Sequence, residues 1–345
     1  MCKKYVVTAI ESGLQCVNAF EAIEWIGADL SDCRFIVLVN KSQIRKKKLI
    51  QKMLNEFAID PGSIFYIDGD INKMKPTVRS CFPNQVLKRI SAGRRTLSDI
   101  RRVVREFANP QNTFISMRGA IYTELGRQCK ANQHVVIDGG TSKLEHIKLK
   151  SELENPDFVL RLVGFRSWVP QSVIHFTSYY QSTIDAGFHA IANNYSRVKT
   201  SLRTSTVGDS IAFIGLPMRI GEKIWRQYVD SMSRIVSGCE VGRVIFFPHP
   251  SDRPLSNTLL TQMNKPVEIV NDDLPVEFSL ARLSPLPIGI VTSISSSTLN
   301  LDTIFGDIVK VSVMGDVYLN QLLFDQKPQR EERFLELKAR GIPLI

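Results

Sequence analysis

Three short stretches set chemistry-bearing side chains directly after apolar runs. "HVVIDGG" (134–140) carries Asp138 to the end of a strand, and Gly139 and Gly140 allow a tight turn beside it. A carboxylate so placed, partly desolvated beside a substrate, can take a proton from a hydroxyl. The same tripeptide also serves as a plain turn. "RVIFFPHP" (243–250) ends with His249 between Pro248 and Pro250, which restrict the backbone and fix where the imidazole points. Imidazole hydrogen-bonds a phosphate in either protonation state and, as imidazolium, donates a proton to a departing one; a histidine in a proline-rich loop needs no such role. "VTSISSSTLNL" (291–301) runs into Ser295, Ser296, Ser297 and Thr298 where a helix begins. Those hydroxyls either cap the helix or, with its free N–H groups, hold an anion. Between the last two stretches, "LPVEFSLARL" offers Glu277 at a strand-to-helix junction, as a surface carboxylate or as an acceptor for a ribose diol.

Other chemistries lack their residues. The sequence has no Walker phosphate loop, no Gly-x-Gly-x-x-Gly fingerprint, no nucleophile elbow and no His-Glu-x-x-His helix. Its six cysteines (Cys2, Cys16, Cys33, Cys81, Cys129, Cys239) form no C-x-x-C pair, so they read as reduced, buried small hydrophobes rather than a zinc site or disulfide framework. The net charge of +10 favours anionic partners without choosing among nucleotide phosphates, acidic polymers, nucleic acid and an inner-leaflet surface. "RKKK" (45–48) and "KRISAGRR" (88–95) carry part of it and read as solvated helix faces. No apolar run approaches the roughly 20 residues of a membrane helix, and the first residues do not resemble a signal peptide, so a cytoplasmic location is expected.

Elements that could position these groups alternate along the chain. "KYVVTAI", "CRFIVLV", "SIFYIDG", "NTFISMRG" and "HVVIDGG" read as strands separated by helices, the pattern of βαβ units and a parallel sheet. A Ser-, Thr-, Tyr- and Arg-rich stretch of weak periodicity breaks the rhythm. The alternation then resumes with "SIAFIGLP", "RVIFFPHP", "VEIV", "IGIVTSISSS" and "IVKVSVMG". The expected fold class is α/β with two Rossmann-like domains facing across a cleft. Residues 1–165 form the first domain, 166–208 a connection with acceptor-side loops, 209–325 the second domain and 326–345 a charged terminal helix.

Taken in order, the three stretches resemble the bacterial sialyltransferases, in particular the lipooligosaccharide sialyltransferase and capsular polysialyltransferase families. "IDG" (137–139) stands where their acidic-acidic-Gly motif is expected, "HP" (249–250) matches their His-Pro motif, "SSSTL" (295–299) resembles their serine motif, and "FIGLP" (213–217) looks like the opening of their second domain. One position departs: Ile137 replaces the first acid, leaving Asp138 alone. The resemblance implies a GT-B fold and inverting, metal-independent transfer from CMP-sialic acid to a hydroxyl of a surface glycan, with no cofactor. It implies Asp138 as base and His249 as the group meeting the leaving phosphate. Gly139, Gly215, Pro250, Glu277, Ser295, Ser296, Ser297 and Thr298 would then line the substrate sites. The implied partners are the CMP-sugar and a glycan or glycolipid acceptor, with no nucleic acid; the net charge, by itself, adds an anionic inner-membrane surface. Two alternatives stay open. One is a different donor, either another CMP-linked nonulosonic acid or a UDP-sugar; the other is a non-catalytic basic protein that binds an anionic ligand or nucleic acid.

Overall fold

The computed structural model describes residues 4–39, 43–67, 83–139, 156–202, 205–215, 222–249, 263–272, 274–293, 296–315, 335 and 337–345. The chain forms two compact units, Met1–Asn193 and Asn194–Ile345.

The first unit alternates as expected: β1 (Val6–Ile10), α1 (Gly13–Ile26), β2 (Cys33–Leu38), α2 (Ile44–Glu56), β3 (Ile64–Ile67), α3 (Pro83–Val104), β4 (Thr113–Ser116), α4 (Ala120–Gln128), β5 (Gln133–Ile137), α5 (Phe158–Val163), β6 (Ser172–Thr177), α6 (Tyr180–Asp185) and β7 (Ala190–Ala192). Its seven strands lie parallel in the order β3-β2-β1-β4-β5-β6-β7. Helices on a parallel sheet bury its strands from both sides, which is why β1, β2, β4 and β5 read as near-continuous apolar runs. Helix boundaries follow local chemistry. The Ser12 hydroxyl accepts from the Gln15 N–H to start α1, and Gly27, at φ 70°, ends it in the left-handed region that a side chain would strain. One face of the sheet packs Val7, Ile36, Phe114, Leu125 and Phe165 into a dry core.

The second unit contains α7 (Ser196–Leu202), β8 (Ser210–Ile214), α8 (Glu222–Ser237), β9 (Arg243–Phe247), β10 (Val267–Ile269), α9 (Val276–Ala281), β11 (Gly289–Thr292), α10 (Ser296–Phe305) and β12 (Lys310–Val313). Its five parallel strands run β10-β9-β8-β11-β12 around a core of Phe213, Trp225, Tyr228, Met232 and Phe246. In both sheets the strand order reverses beside the first strand, at β1/β4 and at β8/β11. Open α/β sheets bind ligands outside the carboxyl ends of the strands at such points.

The connection expected over 166–208 is corrected. Its residues supply β6, α6 and β7 to the first sheet and α7 to the second unit, so the change of unit falls after Asn193 rather than at 165 and 209. Little of the expected terminal helix falls among the described residues. Residues 335 and 337–339 are helical as expected, and the last residues run beside β12, where the Ile345 N–H donates to the Val313 carbonyl at 2.9 Å. Among the described residues, no helix is long and apolar enough to cross a membrane.

Candidate functional site

Asp138 directly follows β5 and is 2% exposed. Its carboxylate is held from β6: Oδ1 accepts from the Thr177 hydroxyl at 2.9 Å, while Oδ2 accepts from the Ser178 N–H at 2.8 Å and the Ser178 hydroxyl at 3.1 Å. Its main-chain carbonyl accepts from Asn18 Nδ2 of α1 at 2.9 Å, and Asn18 Oδ1 accepts in turn from Asn193 at 3.2 Å. Thr177 itself accepts from the Tyr179 N–H at 2.9 Å, so its proton is directed at the carboxylate. A Cβ at Gly139 would run into the Met117 thioether, which accounts for a glycine beside this acid.

Residues of alternate register share a sheet face. On the face that carries Asp138, β5 also presents His134 and β6 presents His175, the latter opposite Val136. His134 Nε2 lies 2.9 Å from the Ser116 hydroxyl, and His175 Nε2 lies 2.8 Å from Arg118 Nη2. The Arg118 guanidinium also sits over the Phe188 ring. Burial, reinforced by the Arg118 charge, pushes the His134 imidazole down to about 3, so it is neutral at physiological pH. Sequence reasoning missed this polar layer. The available signal was a histidine set inside each of two apolar runs, "HVVI" and "VIHF".

In the second unit, three adjacent strands β9, β8 and β11 end in His249, Gly215 and the turn into α10. Gly215 N–H donates to the Phe247 carbonyl at 2.8 Å. A Cβ on Gly215 would approach the Phe246 ring to 2.8 Å and the His249 backbone nitrogen to 3.0 Å. Only glycine lets these two strand ends come so close, and the half-buried His249 is placed by that approach. The Tyr228 hydroxyl donates to the Ile214 carbonyl at 2.7 Å and anchors the same edge to α8.

α10 begins at Ser296, with Ser297 in its first turn. Two predicted residues have other partners than expected. The Thr298 hydroxyl is fully buried, donates to the Ser293 carbonyl at 2.9 Å and pairs with Thr292 at 2.7 Å, so it fastens the strand end. Glu277 lies in the first turn of α9, is 3% exposed, and accepts from Asn300 of α10 at 2.9 Å, rather than standing at the surface. Pro250 and Ser295 lie outside the described residues.

Burial raises the Glu277 carboxyl above its ordinary value, against the lowering effect of the Asn300 hydrogen bond. A raised folded-state value means that the folded chain holds the proton more tightly than the unfolded one. The stabilisation is complete below the unfolded value of about 4.3 and is lost as pH rises through the folded value. Glu277→Gln keeps the bond from Asn300 and removes the titration. The expected result is that the wild type loses stability on going from pH 4 towards 7 relative to the variant, read from urea unfolding midpoints at each pH. Parallel curves would show that Glu277 does not titrate in this window.

Neither a family model nor a curated protein matches the sequence. Among solved structures, a Listeria monocytogenes protein assigned as a UDP-N-acetylglucosamine 2-epimerase is similar over 96% of this chain and 91% of its own, with a TM-score of 0.52 at 11% identity. Staphylococcus aureus MnaA with UDP (TM-score 0.49, 12% identity, 97% and 88% covered) and Acinetobacter baumannii MurG (TM-score 0.44, 12% identity, 99% and 96% covered) are more distant. The fold is GT-B-like. At such identities the likeness concerns architecture alone: two Rossmann-like units in one chain, with ligand crevices expected at the carboxyl ends of the strands.

Proposed function

We propose that this protein is a GT-B glycosyltransferase that moves a sugar from a nucleotide donor to a hydroxyl, with CMP-sialic acid as the donor and a surface glycan as the acceptor. The observation that carries this reading is the trio of neighbouring strand ends in the second unit. Gly215 brings the end of β8 against the His249 backbone, and the next strand over, β11, leads into the serine-rich start of α10. This is a surface suited to a nucleotide phosphate at a switch point.

In the reaction, the acceptor hydroxyl attacks the anomeric carbon, the bond from that carbon to the phosphate oxygen breaks, and the hydroxyl proton passes to Asp138. His249 donates a hydrogen bond or a proton to the departing CMP phosphate, and the Ser296 and Ser297 end of α10 receives its charge. No cofactor enters this balance.

CMP is expected to raise the melting temperature and GDP to leave it unchanged; the enzyme is expected to release CMP from CMP-sialic acid faster when a galactosyl or sialylated acceptor is present. A UDP-sugar is the competing donor, favoured by the name of the Listeria protein whose fold this chain shares. A thermal response to UDP and not to CMP would transfer the reading to it. Absence of response to any of the three nucleotides would end the glycosyltransferase assignment.

The net charge of +10, with Phe158 74% and Leu162 60% exposed one helical turn apart on α5, supports peripheral binding to an anionic membrane, where such glycans are assembled. Flotation with phosphatidylglycerol vesicles, but not with phosphatidylcholine vesicles, is the expected outcome. Equal flotation with both, or none, would remove the membrane step.

A further inference from the structure

Beneath the loop that follows α5 lies a narrow cavity of about 80 Å³, lined by Arg118, Thr123, His134, Trp168 and Val173 among others. Arg118, Thr123 and His134 are each more than nine-tenths buried. The guanidinium keeps its charge at any physiological pH, whereas His134 is neutral. One fixed positive charge therefore stands in the wall of a small cavity, with the indole of Trp168 and the side chain of Val173 as apolar walls. The ring centroids of His134 and Trp168 lie 5.1 Å apart, which sets the indole against the imidazole.

Size limits the occupant. Nucleotide and drug-sized sites run to roughly 300–1,000 Å³, so this cavity takes a group of about four or five heavy atoms. Charge limits it further. A guanidinium matches the oxygen spacing of carboxylate and phosphate, and its attraction for them strengthens where water is excluded.

We propose that this cavity is a receptor for a small oxyanion, a carboxylate or inorganic phosphate group held by Arg118 with Thr123 and His134 as neutral hydrogen-bonding partners. The site belongs to the first unit and does not depend on which nucleotide, if any, the second unit binds. His175 links it to Asp138, because His175 contacts Arg118 and lies two residues before Thr177, which contacts Asp138. His134 and Val173, which line the cavity and pair in register, lie four residues before Asp138 and Thr177 on β5 and β6.

The test is thermal unfolding of the full chain in formate, acetate or phosphate against chloride at equal ionic strength. An anion at about tenfold its Kd should raise the melting temperature by roughly 3 °C. Arg118→Gln should abolish the response. Val173→Phe should do the same by filling the cavity from its half-buried rim, and it decides the matter if Arg118→Gln does not fold. A response to formate and acetate alone assigns carboxylate as the ligand; a response to phosphate alone assigns phosphate. No response beyond chloride, or an undiminished response in Val173→Phe, overturns the proposal. CMP is titrated separately on the same samples, so loss of the anion response and loss of the nucleotide response are scored independently.

Discussion

Asp138→Asn is expected to lower the transfer rate by about 10²–10⁴-fold, the range for removing a general base, while the chain stays folded. The reason lies in the donor set around the carboxylate. Thr177 and both donor groups of Ser178 point at its oxygens. An amide keeps one oxygen for the Ser178 N–H but turns an N–H₂ towards a hydroxyl that was itself donating. One of these buried donors then loses its acceptor, at a cost of roughly 1–3 kcal/mol. Two measurements separate the base from a clamp: transfer rate as a function of pH, and unfolding midpoint. A fall in rate with only this modest loss of stability supports the base. A variant that transfers at the wild-type rate would leave Asp138 as a tie between β5 and β6. Thr177→Val provides a control, since it removes one donor to the carboxylate and leaves the acid in place.

His249→Ala is expected to cost about 10²-fold or more in transfer, again the range for an acid–base group. The loss should depend on the leaving group, because the imidazole is proposed to act on the departing phosphate and not on the acceptor. A donor whose leaving group is a weaker base than the CMP phosphate should recover much of the rate in the variant. Equal loss with both donors would place His249 in binding instead. Stability should change little, because His249 is half-buried at the end of a strand whose packing rests on Phe246 and Phe247.

Much of the architecture is legible in the residues. Apolar β-branched runs broken by helical spacing give both parallel sheets, and glycines such as Gly27 and Gly215 mark a helix end and a close strand approach. The region from 166 to 193 is not legible, because β6 carries His175 and ends in Thr177 and β7 has only three residues. Polar residues that pair within a buried layer look, in sequence, like loop composition. That is why Thr177 and Ser178 could not be matched to Asp138, 39 and 40 residues away. Glu277 and Thr298 show the converse: residues whose types suit a ligand also have partners within the fold, in Asn300 and the Ser293 carbonyl.

The hydrogen bonds around Asp138 also bear on when its freedom is lost. A free aspartate samples several rotamers, and fixing a side chain at the moment of binding commonly costs about 0.5–1.5 kcal/mol. Here Asn18 fixes the main chain and Thr177 and Ser178 fix the carboxylate during folding. The entropy of that acid is therefore surrendered once, when the sheet forms, and none of it is subtracted from the affinity for an incoming substrate.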